Sequence, residues 1–312
     1  MIQHVAVTGA AGFVGQAVVA SLAEKGFCVR AIVRSGHANV LGSEQTIGAG
    51  NLLEAELEPL FAGCDAVVNC AARVHVLDKE APQVAEAAYM KVNYELAIAM
   101  ADAASRVGAR RFVQLSSVAA LTSTTTTNEL VDDTTPPQPA LPYGRSKLAA
   151  DQALENMRSP AFSTVSLRPP AVYGPGVGAW FALLARAARV GVPLPIGRFE
   201  NSRSFIFVGN LTDAIAAALA GDATGPLIVT DSPPISTADL YRKLLNLSGY
   251  NDRVLNAPRP LVAAGAKLVL GNRWSSFLGS AAYRGDRFSS LFNWRAPFPM
   301  DKGLALTMAH AR

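Results

Sequence analysis

Residues 8–15 read Thr8-Gly9-Ala10-Ala11-Gly12-Phe13-Val14-Gly15. The stretch follows a run from His4 to Thr8 that reads as a strand, and it opens a run with helical spacing from Gly12 to Lys25. In a Gly-x-x-Gly-x-x-Gly pattern placed between strand and helix, each glycine has its own task. The first permits a tight turn, the second lets the backbone approach a pyrophosphate at the positive end of the helix, and the third allows close packing of helix on strand. Gly9, Ala11, Gly12, Phe13, Val14 and Gly15 are therefore the first candidate cofactor-binding residues.

Working outward, strand and helix keep alternating: Cys28 to Arg34 strand, Ala55 to Phe61 helix, Ala66 to Cys70 strand, Val84 to Val107 helix, Arg111 to Ser116 strand, a helix around Lys147 to Met157, and Ser163 to Leu167 strand. This order predicts an α/β fold, a doubly wound parallel sheet of the dinucleotide-binding type. The stretch between Leu121 and Pro142, with its threonine tract and prolines, predicts a solvated irregular connection. Beyond Leu167 the pattern changes character. Residues 1–167 and 204–221 are expected to form the cofactor domain, and 168–203 and 222–312 a smaller interleaved α/β substrate lobe. Pro260 to Leu270, apolar at helical spacing and followed by Arg273, Trp274 and Phe277, reads as a packed helix of that lobe.

Composition removes several classes of function. With 312 residues, 50% hydrophobic and 17% charged, the chain can bury a sizeable core and does not read as disordered. Its net charge of +4 comes from basic residues scattered singly or in pairs, which speaks against nucleic-acid binding. Cys28, Cys64 and Cys70 are odd in number and lack a Cys-x-x-Cys pair, so they read as thiols of a reducing compartment. His4, His37, His75 and His310 have no ligand spacing, and no metal is expected. The apolar N-terminal stretch is broken by glycines and lacks a basic leader, and no run is long enough to span a membrane, so a cytoplasmic protein is expected.

The second strand ends Val33-Arg34, where a site for NAD usually carries an acid for the ribose 2′-hydroxyl. A guanidinium there suits a 2′-phosphate, so NADP(H) is the expected cofactor, with NAD(H) as the alternative. Asn51 and Leu52 resemble the adenine-contacting turn of such folds. Tyr143 and Lys147, four apart, share one face of a helix, and Ser117 ends the strand that points to the same pocket. A phenol is a poor acid-base group at neutral pH unless a nearby cation stabilises its phenolate. Ser117, Tyr143 and Lys147 together supply a proton-transfer set.

With these residues in view, the chain resembles the extended short-chain dehydrogenase/reductase superfamily, in its branch of nucleotide-sugar epimerases, dehydratases and 4-ketoreductases (UDP-glucose 4-epimerase-like). The resemblance rests on the glycine loop, Asn69-Cys70-Ala71-Ala72, Asn93, Leu115-Ser116-Ser117, Tyr143 to Lys147, Leu167 to Gly176 and Arg203 to Asp213. It implies Ser117, Tyr143 and Lys147 as the catalytic set and Ser117, Tyr143 and Arg203 at the substrate, Arg203 toward a nucleotide diphosphate. Cofactor contacts are implied at Ala71, Ala72, Arg73, Asn93, Tyr143, Lys147, Pro170, Ala171 and Val172.

Departures from the pattern narrow the reaction. The branch's 4,6-dehydratases look like Thr-Asp-Glu at the serine position, whereas here Ser117 is followed by Val118-Ala119, which disfavours dehydration. Arg284 stands where the branch usually has an acid. The leading expectation is an NADP(H)-dependent reductase of a 4-keto nucleotide sugar, with Tyr143 as proton donor. A UDP-sugar 4-epimerase holding NAD is the closest alternative; a small-carbonyl reductase and a non-catalytic NADP-binding protein follow. The expected partner is a small-molecule nucleotide sugar, and a homodimer is left open.

Overall fold

The structure, a computed structural model, describes residues 2–35, 40–74, 82–126, 129–258, 260, 262, 264–265, 267 and 278–310. His37, His75, Arg273, Trp274, Phe277 and much of the helix expected over 260–270 lie outside them.

Seven parallel strands form the main sheet: β1 (His4–Thr8), β2 (Cys28–Val33), β3 (Gln45–Gly48), β4 (Ala66–Asn69), β5 (Arg111–Leu115), β6 (Ser163–Arg168) and β9 (Gly225–Ile228). Their spatial order is β3-β2-β1-β4-β5-β6-β9. Strands are added outward from β1 toward one edge, and the chain then crosses back to place β4 on the other side of β1. The C-terminal ends of β1 and β4 thus flank the crevice where a doubly wound sheet binds its ligand. The predicted fold class is the observed one.

The strands are apolar because both faces are covered. Against one face pack Val18, Val19 and Leu22 of α1 (Phe13–Glu24) and Leu211, Ile215 and Leu219 of α7 (Val208–Ala220). Against the other lie Phe61 of α2 (Glu58–Phe61), Met100 of α4 (Leu96–Arg106) and Leu154 of α5 (Pro142–Asn156). A third cluster forms the second lobe. Tyr173, Phe205 and Phe207 from the two-stranded sheet β7 (Ala171–Tyr173) and β8 (Phe205–Phe207) meet Phe181 of α6 (Ala179–Arg189) and Tyr241 and Leu244 of α8 (Thr237–Leu247). Each such large side chain taken out of water contributes about 1.5 to 3 kcal/mol.

Several elements differ from their expected bounds. The helix expected over Ala55 to Phe61 is one turn, because Pro59 sits in its first turn and restrains the residue before it. The helix over Val84 to Val107 runs instead from Pro82 to Arg106, as α3 (Pro82–Tyr89), a π-helical segment Met90–Glu95 and α4. α5 begins at Pro142, five residues ahead of Lys147, because proline is favoured at a helix's first position. The edge strands β3 and β9 are four residues each, too short for an alternating pattern. β9 falls within 222–312, so that stretch returns to the main sheet before it builds the rest of the lobe. The connection after Leu121 is docked rather than solvated. Leu121 and Val131 are buried against Ile228 and Tyr283, and single bridges join Thr125 to Ser280 and Val131 to Tyr283.

Candidate active site

The glycine loop takes the form its spacing predicts. Gly9 has φ +65, and a Cβ there would come within 2.7 Å of the Ala71 backbone nitrogen. A Cβ on Gly15 would lie 2.1 Å from the Gly9 carbonyl oxygen, so only glycine lets α1 approach the loop this closely. α1 has no side-chain cap at Gly12, and Ala11 and Gly12 are exposed. The helix therefore presents bare N–H groups and its positive end at the crevice, which fits a pyrophosphate. Under the loop, Thr8 Oγ1 donates to Asn69 Oδ1 (2.6 Å), Asn69 Nδ2 donates to Gln114 Oε1 (2.8 Å), and the Ala71 N–H donates to Asn69 Oδ1 (3.0 Å). These bonds tie the ends of β1, β4 and β5 together and aim Ala71, Ala72 and Arg73 along the same crevice.

Arg34 follows β2 directly, is exposed, and its carbonyl accepts the Gly50 N–H at 3.0 Å. That bond brings the Asn51-Leu52 turn beside Arg34. Asn51 is exposed, with its amide on Glu54, while Leu52 packs into the core.

Ser117, Tyr143 and Lys147 come together. Ser117 caps the short 3-10 turn Val118–Ala120 by accepting the Ala119 N–H at 3.1 Å, and its side chain lies near enough to Tyr143 to pull the phenol's proton affinity down. α5 lies so close to this turn that a Cβ on Gly144 would reach 2.2 Å from the Ala119 carbonyl oxygen. Lys147 is buried, donates from Nζ to the Leu115 carbonyl at 2.9 Å, and holds its ammonium 6.0 Å from the Tyr143 ring centre. Burial pushes the Tyr143 hydroxyl up to about 12, against the pull of Ser117. Burial draws Lys147 down to about 8, while Asp151 works to raise it. The site thus holds a protonated phenol beside an ammonium of lowered proton affinity; burial makes that phenol a weaker acid than a free tyrosine, so giving up its proton calls for positive charge to act on the phenolate.

Other groups hold this set in place, and linear reading did not single most of them out. Asn93, in the π-helical segment, is buried. Its amide accepts the Arg73 N–H (2.8 Å), donates to the Arg73 carbonyl (3.0 Å) and donates to Ser146 Oγ (3.1 Å). The contacts of its amide thus join the strand-end loop to α5, at a helical irregularity of the sort that gathers at functional sites. Tyr89 meets Tyr143 edge to face at 6.1 Å. Asp151, one turn beyond Lys147, pairs with Arg168 Nε (2.8 Å) and accepts from Ser116 Oγ (3.0 Å). The Val118 N–H donates to the Pro169 carbonyl at 3.2 Å, so Pro170 and the first residues of β7, Ala171 and Val172, lie next to the serine turn. The spacing of Asp151 from Lys147 was the available signal.

Arg203 is buried, 8% exposed, and not solvent-facing. It precedes β8 (Phe205–Phe207), which ends there because Val208 already starts α7. Its Nη1 donates to the Gly279 carbonyl at 2.7 Å, its guanidinium lies 5.5 Å from the Trp180 ring centre, and its Nε is buried without a hydrogen-bond partner among the described residues. Burial lowers it to about 10, which leaves it charged at neutral pH. Arg284 pairs with Asp132 at 3.0 Å and with Asp286 at 3.3 Å, fastening the C-terminal segment to the docked connection.

The model of the NAD dependent epimerase/dehydratase family matches residues 5–228. The chain belongs to that family. A UDP-glucose 4-epimerase of Vibrio cholerae is 33% identical over 250 residues, 78% of this chain and 75% of that protein. A ceramide reductase of Caulobacter vibrioides is 28% identical over 287 residues, 90% of this chain and 81% of that one. Among solved structures, MoeE5 in complex with UDP-glucuronic acid and NAD superposes with a TM-score of 0.77 at 24% identity and covers 99% of both chains, a likeness of fold. Family membership makes the protein an enzyme of the NAD-dependent epimerase/dehydratase type, and the glycine cradle fits the dinucleotide. No helix among the described residues is long and apolar enough to cross a membrane.

Proposed function

We propose that the protein is an NADP(H)-dependent reductase of a 4-keto nucleotide sugar. The observation that carries the reading is Arg34, exposed at the end of β2 after Val33 and with no carboxylate at the strand end, where it can meet a 2′-phosphate through charge-assisted bonds. A released and renewed NADPH suits net reduction, whereas a 4-epimerase keeps one NAD through its cycle.

In this reading residues 1–167 and 204–221, completed by β9, hold the cofactor, and the remaining segments hold the sugar. Gly9, Ala11, Gly12, Phe13, Val14 and Gly15 take the pyrophosphate; Asn51 and Leu52 take the adenine. Ala71, Ala72, Arg73, Pro170, Ala171 and Val172 line the crevice toward the nicotinamide, and Asn93 fixes Arg73 and α5 around it. Reduced nicotinamide, when bound, supplies the hydride that adds to C4. Tyr143 donates its proton to the C4 oxygen, so that the carbonyl becomes a hydroxyl with charge balanced. Ser117 hydrogen-bonds the same oxygen and orients it toward Tyr143. Lys147 offers its positive charge to the phenolate that remains. Arg203, a buried cation with an unpartnered Nε, supports a doubly anionic diphosphate in the substrate.

The test is a titration of NADPH and NADH against the wild type and Arg34→Ala. NADPH should bind the wild type more tightly, and losing a charge-assisted contact should weaken it by about 1.5 to 3 kcal/mol while NADH changes little. Protein that purifies with NAD firmly bound and ignores NADPH would favour the 4-epimerase instead.

A further inference from the structure

The catalytic set uses the C-terminal ends of the strands; the opposite edge of the sheet carries chemistry of its own. β3, β2 and β1 lie side by side there, and His4 is the register partner of Cys28. Glu44, just ahead of β3, is fixed by its N–H, which donates to the Val29 carbonyl at 2.9 Å. The imidazole, thiol and carboxylate ligand atoms of His4, Cys28 and Glu44 all fall within 4.8 Å of one another. The linear spacing of the histidines gave no ligand pattern, because the three donors come from β1, β2 and the residue that precedes β3.

We propose that His4, Cys28 and Glu44 form a binding site for one borderline-soft divalent cation of the zinc class. A mixed set of imidazole nitrogen, thiolate sulfur and carboxylate oxygen suits zinc and its neighbours and is foreign to calcium or magnesium, which take oxygen. Zinc bonds to such ligands are about 2.0 to 2.3 Å, so donors around one tetrahedral ion lie under about 4 Å apart, and modest rotamer changes bring these three that close. His4 and Glu44 are exposed and Cys28 is half-buried, which leaves an open coordination position for water and a path for the ion. The strand frame is set beforehand: Asp65 Oδ2 accepts the His4 N–H at 2.9 Å and the Gln3 N–H at 2.8 Å, holding the start of β1. Binding replaces the thiol proton, which leaves to solvent, and the two remaining negative ligands balance the ion's charge. The site lies across the sheet from the glycine loop and Arg34, so the ion acts as a clamp on three strands, with no part in proton transfer.

The experiment uses full-length, untagged protein, zinc alone as ligand, and cobalt as a spectroscopic substitute. One zinc per chain is expected in competition with a chromophoric chelator, together with a rise in melting temperature on zinc addition and a thiolate-to-cobalt charge-transfer band. Since loss of outer-shell partners alone weakens metal sites about 10 to 100-fold, His4→Ala and Cys28→Ser should each weaken binding by at least about tenfold. Cys28→Ser should also abolish the cobalt band, whereas Cys64→Ser and Cys70→Ser should leave it. Melting of the metal-free variants at the wild-type temperature establishes that they are folded. Absence of stoichiometric binding, or binding and a cobalt band unchanged in Cys28→Ser, overturns the proposal. Because the site is remote from the cofactor, turnover without zinc tests the catalytic reading separately.

Discussion

Asp151 Oδ2 lies 2.8 Å from Arg168 Nε, and both side chains are buried, 1% and 5% exposed. Each partner connects to the candidate site. Asp151 follows Lys147 by one helical turn and accepts from Ser116, the neighbour of Ser117, while Arg168 precedes Pro169 and Pro170. Burial pushes the Asp151 carboxyl up, against the pull of Arg168 and two serine hydroxyls. Removing one member of such a pair leaves a charge buried without compensation. Asp151→Asn should therefore destabilise the fold by about 3 to 5 kcal/mol, read by denaturant unfolding, and Asp151→Leu combined with Arg168→Met should recover much of that loss.

α5 seats against the serine turn because residue 144 has no side chain. With a Cβ only 2.2 Å from the Ala119 carbonyl, Gly144→Ala should push the helix away, costing about 1 to 3 kcal/mol and moving Tyr143 away from Ser117. Turnover should fall more than cofactor affinity, as separate measurements of each would record.

Tyr143→Phe removes only the proton donor, so turnover should fall about 10² to 10⁴-fold while cofactor binding and melting temperature stay near wild type. Lys147 adds a pH signature. Its folded value of about 8 lies below the ordinary 10.5, so in that window the unfolded chain binds more protons than the folded one. The cost of burying the charge is fully present below about pH 8 and is relieved as pH climbs toward 10.5. Stability should rise across that window relative to Lys147→Met, while turnover of the wild type falls as the ammonium is lost.

How much of this was legible in the sequence depended on whether the cause was local. The glycine loop is a local device, and Gly9, Gly12 and Gly15 take up the geometry their spacing requires. Tyr143 and Lys147 share a helical face by periodicity alone, although the helix starts earlier because Pro142 opens it. What stayed hidden arises from long-range register. The Asp151–Arg168 pair needs α5 laid beside β6, and the burial of Val131 needs the C-terminal segment that covers it. β3 and β9 are edge strands, stabilised by one neighbour each and too short to show an alternating pattern.

The proposed substrate makes Arg203 the residue that should separate ligands with a diphosphate from those without. In Arg203→Ala a UDP-linked sugar should lose about 1.5 to 3 kcal/mol of affinity at saturating cofactor, an effect that shrinks in high salt, while a free sugar is unaffected. Isothermal titration of both ligands against both proteins checks this. Equal affinities would take Arg203 out of the substrate site.

Net hydride transfer to a nucleotide-linked 4-keto sugar is read by incubating the purified protein with NADPH and a UDP-4-keto-6-deoxyhexose, following absorbance of the reduced cofactor and the product by mass spectrometry. One NADPH should be consumed for each keto sugar reduced, with Tyr143→Phe nearly inactive. Interconversion of UDP-glucose and UDP-galactose with no consumption of added NADPH, or reduction of a free carbonyl compound but of no nucleotide sugar, would contradict this reading.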